Sequence, residues 1–360
     1  MSLAGLLDSQ IIVCTGSGGV GKTTISAAIA LRAASEGRKT IVVTIDPAKR
    51  LADSLGIDRL SNAPKRIPAS QFKKAGLVPA ELDAMMLDTK TTFDELVMNN
   101  ARDPERAKRI ISNRFYQAVS GALSGTHEYM AMEKLWELHS KGEYDLIVID
   151  TPPTRNALDF IDAPKRMTSF LEGRLLKWFL LPAIGGGKGM FKITNFAAVA
   201  FLKAIQKIIG AQVLSDIAEF FANFEGMYEG FKERAQDVLD LLMDESSSFI
   251  VVTAPADHVM EEALFFADTL ESYGLPVKGL VVNRVHPRFE IDFAGDAGSK
   301  PIEALLALGR RFELLNKRED MALARLEKAI PQDQRARIPY LNNEVTDLAA
   351  LHEVASFLFV

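Results

Sequence analysis

The chain has 360 residues, 48% of them apolar and 25% charged, with a formal net charge of −5. Such a chain suffices for two average domains or for one large α/β domain with an insertion, and its acidic balance argues against a general nucleic-acid binder, which carries a basic face. Cys14 is the only cysteine, so an internal disulfide, a four-thiolate zinc site and a three-thiolate site for a soft metalloid are all excluded.

In chain order, Met1–Gln10 lacks the basic start and apolar run of a secretory signal. Ile11–Thr15 reads as a buried strand running into a glycine-rich turn, Thr24–Ser35 as a helix closed by Gly37, and Thr40–Ile45 as a second apolar strand ending at Asp46. Strand, glycine loop, helix and strand in this order make a βαβ unit with parallel strands. Leu82–Leu87 is a weaker strand candidate, and Tyr144–Ile149, Phe249–Thr253 and Val277–Val282 supply further apolar runs. Near-continuous apolar character is what strands covered on both faces require. Helical patterns fill Thr91–Lys141 and Pro164–Leu242. The second is Phe-rich, and its apolar faces can be the core of a subdomain or a groove for an apolar partner. His286–Pro301 reads as a loop, Ile302–Ile330 as a helix and Val345–Phe359 as a final amphipathic helix. The five histidines, His127, His139, His258, His286 and His352, are scattered without metal-ligand spacing. No apolar run reaches the roughly 18 residues of a membrane span, which predicts a cytoplasmic protein, or one peripheral at a membrane.

The informative stretch is Gly16-Ser17-Gly18-Gly19-Val20-Gly21-Lys22-Thr23-Thr24. It matches GxxxxGK[ST], in which small residues turn backbone N–H groups inward around phosphate oxygens at a helix N-terminus. Lys22 would reach the β- and γ-phosphates of ATP, or the β-phosphate of ADP, and the Thr23 hydroxyl would bind Mg²⁺. Gly16, Gly18 and Gly21 also satisfy the dinucleotide pattern GxGxxG, with Asp46 after the next strand. That reading leaves Lys22-Thr23-Thr24 and Asp150-Thr151-Pro152-Pro153-Thr154 without a role, whereas the phosphate-loop reading uses both. Asp150 closes an apolar strand, where a carboxylate holds Mg²⁺ directly or through water; the bland alternative is a solvent-facing strand end. The expected fold is a P-loop NTPase with a doubly wound, mostly parallel sheet. Its core spans about 8–90, 143–163 and 245–360, and a helical subdomain spans about 91–142 and 164–244.

Thr15–Thr24, Thr44–Gly56 (TIDPAKRLADSLG) and Asp150–Asp162 (DTPPTRNALDFID) together resemble the anion-transporting ATPase family, which includes arsenite-pump ATPases and ATPases that deliver tail-anchored membrane proteins. GTHEYMAMEKL, VTAPADHVMEEA, VVNRVHP and IPYLNNEV follow in the family's order, and the likeness is closest to bacterial single-domain members. The resemblance implies a dimeric Mg²⁺-dependent ATP switch with nucleotide at the subunit interface. It implies that Asp46 is the switch I aspartate that positions the attacking water and that Asp150–Asn156 is the γ-phosphate-sensing switch II. Asn283 would recognise adenine, and Pro339–Leu341 would cover it. Taken alone, Asn283 reads equally as a turn residue after a strand.

Two departures stand out. Relatives carry a lysine as the loop's second residue, reaching the partner's phosphates, where this chain has Ser17; and they tend to carry His-Asn where it has Lys49-Arg50. Two expectations follow: pairing with a related lysine-bearing subunit, which is favoured, or a homodimer in which Lys49, Arg50 or Arg155 replaces the missing charge. The client is expected to be an apolar or membrane protein. The single cysteine leaves no metalloid site and no CxxC pair to share zinc. The alternative is a regulatory subunit that binds ATP with little turnover.

Overall fold

The Val- and Ile-rich runs pair into one eight-stranded sheet of order β3-β4-β2-β5-β1-β6-β7-β8. The strands are β1 (Ile11–Thr15), β2 (Thr40–Thr44), β3 (Lys65–Arg66), β4 (Leu82–Met86), β5 (Leu146–Asp150), β6 (Ser247–Thr253), β7 (Val277–Val285) and β8 (Arg335–Pro339). The computed structural model describes residues 3–46, 49–101, 103–120, 126–152, 162, 210–224, 227–289 and 300–359. Every neighbouring pair is parallel except β3–β4. The central strands β1, β2, β5 and β6 are buried along their whole length, as their unbroken apolar runs require when both faces are covered.

The apolar candidate at Leu82 is a full member of the sheet, paired with β2 from Thr40↔Leu82 to Thr44↔Met86. Its one charge, the buried Asp83, receives Arg66 Nε at 2.5 Å and the Tyr144 hydroxyl at 3.0 Å. Two strands escape the sequence pattern. β3 is a two-residue antiparallel edge of exposed Lys65 and Arg66. β8 alternates half-buried with buried residues, and its Pro339 sits at the strand's end, where proline is tolerated. The β5 run begins at Leu146, because Asp145 turns its carboxylate to the Lys39 amide at 2.8 Å.

Chain contacts divide the protein into two compact units, Met1–Leu87 with Leu138–Leu158 and Asp240–Val360, and Asp88–Glu137 with Asp159–Leu239. In the first, α1 (Lys22–Ser35) buries Ile25, Ile29 and Leu31, and α12 (Leu348–Leu358) packs against it through the same core. This unit also holds α2 (Arg50–Ser54), α3 (Ala69–Lys74), α10 (Asp257–Ser272) and α11 (Lys300–Ala329). Here the structure begins the first helix at Lys22, two residues earlier than the apolar pattern indicates, because Gly21 supplies its turn.

In the second unit lie α4 (Thr89–Asn100), α5 (Pro104–Ser112), α6 (Arg114–Val119), α8 (Ala211–Phe224) and parts of α7 (Thr126–Ser140) and α9 (Tyr228–Met243). Asp88, Asp103 and Asn113 cap α4, α5 and α6 with their side-chain oxygens. Phe93, Tyr116, Phe220, Tyr129 and Phe231 form its aromatic core, with ring centroids 5.3–6.4 Å apart. A polar pair lies within it: Arg234 Nε meets the buried Glu133 at 3.0 Å while Arg234 Nη1 reaches Asn100 at 3.0 Å. The expectations for residues 163–209, groove or core, and for most of the loop at 290–299 fall outside the described residues. No helix among the described residues is long and apolar enough to cross a membrane.

Candidate functional site

β1 ends at Thr15, and the chain turns through Gly16–Gly21 into α1. Gly16 adopts φ +146° and Gly21 φ +97°. A Cβ at Gly16 would run into the carbonyl of Val252 on β6, and one at Gly21 into the side-chain amide of Asn283 on β7. Glycine is therefore required at both positions, by conformation and by close approach. Gly21 is the N-cap of α1, and no side chain caps the first turn. The leading amides of the helix have no intrahelical partner, and the helix presents its positive end here. Gly19, Gly21, Lys22, Thr23 and Thr24 line a cavity of about 490 Å³, within the range of small-molecule sites.

Lys22 is buried, and its Nζ donates to the carbonyls of Gly16 and Ser17, both at 2.8 Å. Burial pulls its pKa below the usual lysine range, with the Asp150 carboxylate opposing. An anion in the cavity would supply the counter-charge that burial withholds.

Asp150, the last residue of β5, is 1% exposed. Its Oδ2 accepts from the Thr23 hydroxyl at 2.7 Å and the Thr44 hydroxyl at 2.8 Å, while its Oδ1 is buried without a hydrogen-bond partner. Burial raises its pKa from 3.8 to about 6, the two hydroxyls opposing the shift. Asp150 is thus no solvent-facing strand end. A buried orphan carboxylate oxygen beside a threonine hydroxyl fits a hard divalent cation, which takes oxygen ligands and completes its shell with phosphate and water. Among the described residues no three His, Cys, Asp or Glu side chains gather to hold a metal by themselves. Such a cation would enter with phosphate.

Asp46 follows β2 and lines the cavity, its N–H donating to Thr44 Oγ1 at 3.2 Å and its carboxylate 3.8 Å from Arg50 Nη1. Of the expected replacement cations, Arg50 lines the cavity, Lys49 does not, and Arg155 lies outside the described residues together with the rest of the expected switch II from Pro153. Ser17 is buried and donates its hydroxyl to the Glu262 carboxylate on α10. Asn283 faces the loop: its Nδ2 donates to the Val20 carbonyl at 2.8 Å. Pro339 closes β8 opposite Val285, whose carbonyl accepts from the Tyr340 N–H, and the following Glu344, Val345 and Thr346 line the cavity. Gly18 and Val20 belong to the same loop, Val20 buried in the core.

Arg284 also lines the cavity and was not legible as a site residue. It is the single non-glycine residue at positive φ among the described residues, at +62°, a conformation costing about 1–2 kcal/mol. No propensity in VVNRVHP announces it.

The sequence of residues 9–360 matches the family model described as anion-transporting ATPase. The chain belongs to the anion-transporting ATPase family. An Aquifex aeolicus (strain VF5) relative, provisionally named arsenical pump-driving ATPase 1, is 24% identical over 97% of this chain and 78% of its own length. ATPase GET3 of Malassezia globosa is 25% identical over 79% and 76% of the two chains, and ATPase GET3B of Arabidopsis thaliana 29% identical over 76% and 63%. The mostly parallel sheet with a glycine loop after β1 is the P-loop NTPase fold of this family of ATPases.

Proposed function

We propose that this anion-transporting ATPase family member binds Mg·ATP in the cavity at Gly16–Thr24 and hydrolyses it, using the cycle to change the shape of a dimer that handles an apolar or membrane-protein partner. One observation carries this reading. The glycine loop and the start of α1 face a cavity beside a buried carboxylate whose free oxygen suits a cation.

Each residue's role follows from its position. Loop amides and the helix end bind phosphate oxygens. Lys22, already held over the loop, exchanges its carbonyl partners for the β- and γ-phosphates and stabilises charge that grows in the transition state. Thr23 and Asp150 would hold Mg²⁺, with the Thr44 hydroxyl orienting the carboxylate. Held there, the cation would supply positive charge against the negative charge that develops on the phosphates. Asp46 orients the attacking water. Asn283 and Pro339 border the base side, Asn283 also bracing the loop.

Ser17 supplies no charge, and the neighbouring Glu262 adds a negative one. A loop lysine from a related subunit would be complementary to that environment, which supports a heterodimer over a homodimer. A cation delivered in trans to a phosphoryl transition state is worth roughly 10³–10⁵ in rate. The metalloid connection in the Aquifex relative's name does not transfer. Soft metalloids need several thiolates, and here Cys14 alone lies buried in β1, its thiol pushed up to about 12 by burial.

Steady-state phosphate release from wild type, Lys22→Ala and Asp46→Asn tests the reading. The two variants should lose most of the activity. Equal release by all three would end the enzyme reading and leave an ATP-binding regulatory subunit.

A further inference from the structure

Arg284 is a cationic cavity residue that the phosphate-loop chemistry leaves unexplained. β7 shifts register against β8 between Val282 and Val285, so Asn283 and Arg284 stand in an irregularity of the kind that re-aims side chains near sites. The left-handed backbone of Arg284 persists in an L-residue only when its surroundings impose it. Its N–H donates to Asn283 Oδ1 at 2.9 Å, and Asn283 Nδ2 donates to the Val20 carbonyl at 2.8 Å. One side-chain amide therefore ties the strained residue to the phosphate loop and fixes where its side chain starts. Arg284 lines the cavity with Gly21, Lys22 and Thr23 and is exposed, and among the described residues its guanidinium has no carboxylate or carbonyl partner.

We propose that Arg284 is a nucleotide-contacting residue whose guanidinium meets the phosphates of the bound nucleotide from the β7 side, within the same chain. The inference rests on the ATP-binding reading and adds a cation to a loop whose second residue is the uncharged Ser17. A planar five-donor fork suits phosphate oxygens.

The test is calorimetric titration of Mg·ADP and Mg·ATP into wild type and into Arg284→Gln, Arg284→Gly and Arg284→Lys, with melting temperatures taken without nucleotide. The Gln and Gly variants should bind both nucleotides about tenfold more weakly, equivalent to about 1.4 kcal/mol. The Lys variant should fall between them and wild type, keeping charge without the fork. The Gly variant should melt no lower than wild type, because glycine takes the left-handed conformation freely; lost affinity then reports a lost contact rather than misfolding. A Gln variant that binds like wild type overturns the proposal, whatever the Gly variant does. A wild type that binds neither nucleotide overturns the ATP-binding reading itself, and this inference with it.

Discussion

Replacing Asp150 with asparagine should stabilise the ligand-free protein while abolishing its use of Mg·ATP. The carboxyl is buried, and its pKa lies at about 6 against an ordinary 3.8. Below 3.8 it is protonated in the folded and the unfolded chain alike and contributes nothing. Between 3.8 and about 6 the folded protein keeps a proton that the unfolded chain has released, so stability falls as pH rises. Above about 6 the penalty is complete. The gap of 2.2 pH units (6 − 3.8), at about 1.36 kcal/mol each, sets it at about 3 kcal/mol. The neutral amide of Asp150→Asn carries no such penalty, and the Thr23 and Thr44 hydroxyls can rotate to accept from it. Urea unfolding of both proteins without nucleotide, at pH 8 and at pH 4.5, measures the difference. The variant should gain up to about 3 kcal/mol at pH 8 and only about 1 kcal/mol at pH 4.5, yet gain no further stability from Mg·ATP. A variant less stable at both pH values, or one still stabilised by Mg·ATP, refutes the reasoning.

Other substitutions read other links. Gly21→Ala places a Cβ against Asn283 in a left-handed backbone; it should cost at least about 1–2 kcal/mol by unfolding and eliminate nucleotide binding in a filter assay. Ser17→Lys should make the lone protein associate in the presence of ATP, seen by light scattering, and raise phosphate release by about 10³ or more; a variant that stays monomeric and slow counts against a lysine-bearing partner. Glu133→Gln breaks the buried pair with Arg234 in the helical unit and should cost about 3–5 kcal/mol, with hydrogen exchange quickening first in α4, α7 and α9. Protection unchanged there would mean the pair is not what holds those helices.

The sheet's middle was readable because strands buried on both faces must be apolar throughout, as TIVVT and LIVID are. Its edges were not. Lys65–Arg66 is too short for any period, and RARIP mixes charges and proline because one of its sides is open. Thr23 and Lys22 were legible because phosphate chemistry fixes residue types at fixed spacing, Asp46 through the resemblance to a family, and the structure brings all three around one cavity. Arg284 was not, because what marks it is a dihedral angle and a register shift that arise from strand pairing. The Ser17–Glu262 contact joins residues 245 positions apart, which no local pattern connects. Asn283 was expected beside a base; its bond to Val20 gives it a second task, holding the loop that Gly21 lets it approach.

A titration of the native protein with Mg·ATP, run in parallel with NAD, bears most directly on the loop between Gly16 and Thr24. Saturable uptake of Mg·ATP that Lys22→Ala abolishes, with no heat from NAD, is the predicted result. Binding of NAD without Mg·ATP would contradict it, since the lysine, the threonine and the buried carboxylate would then have no phosphate chain to serve.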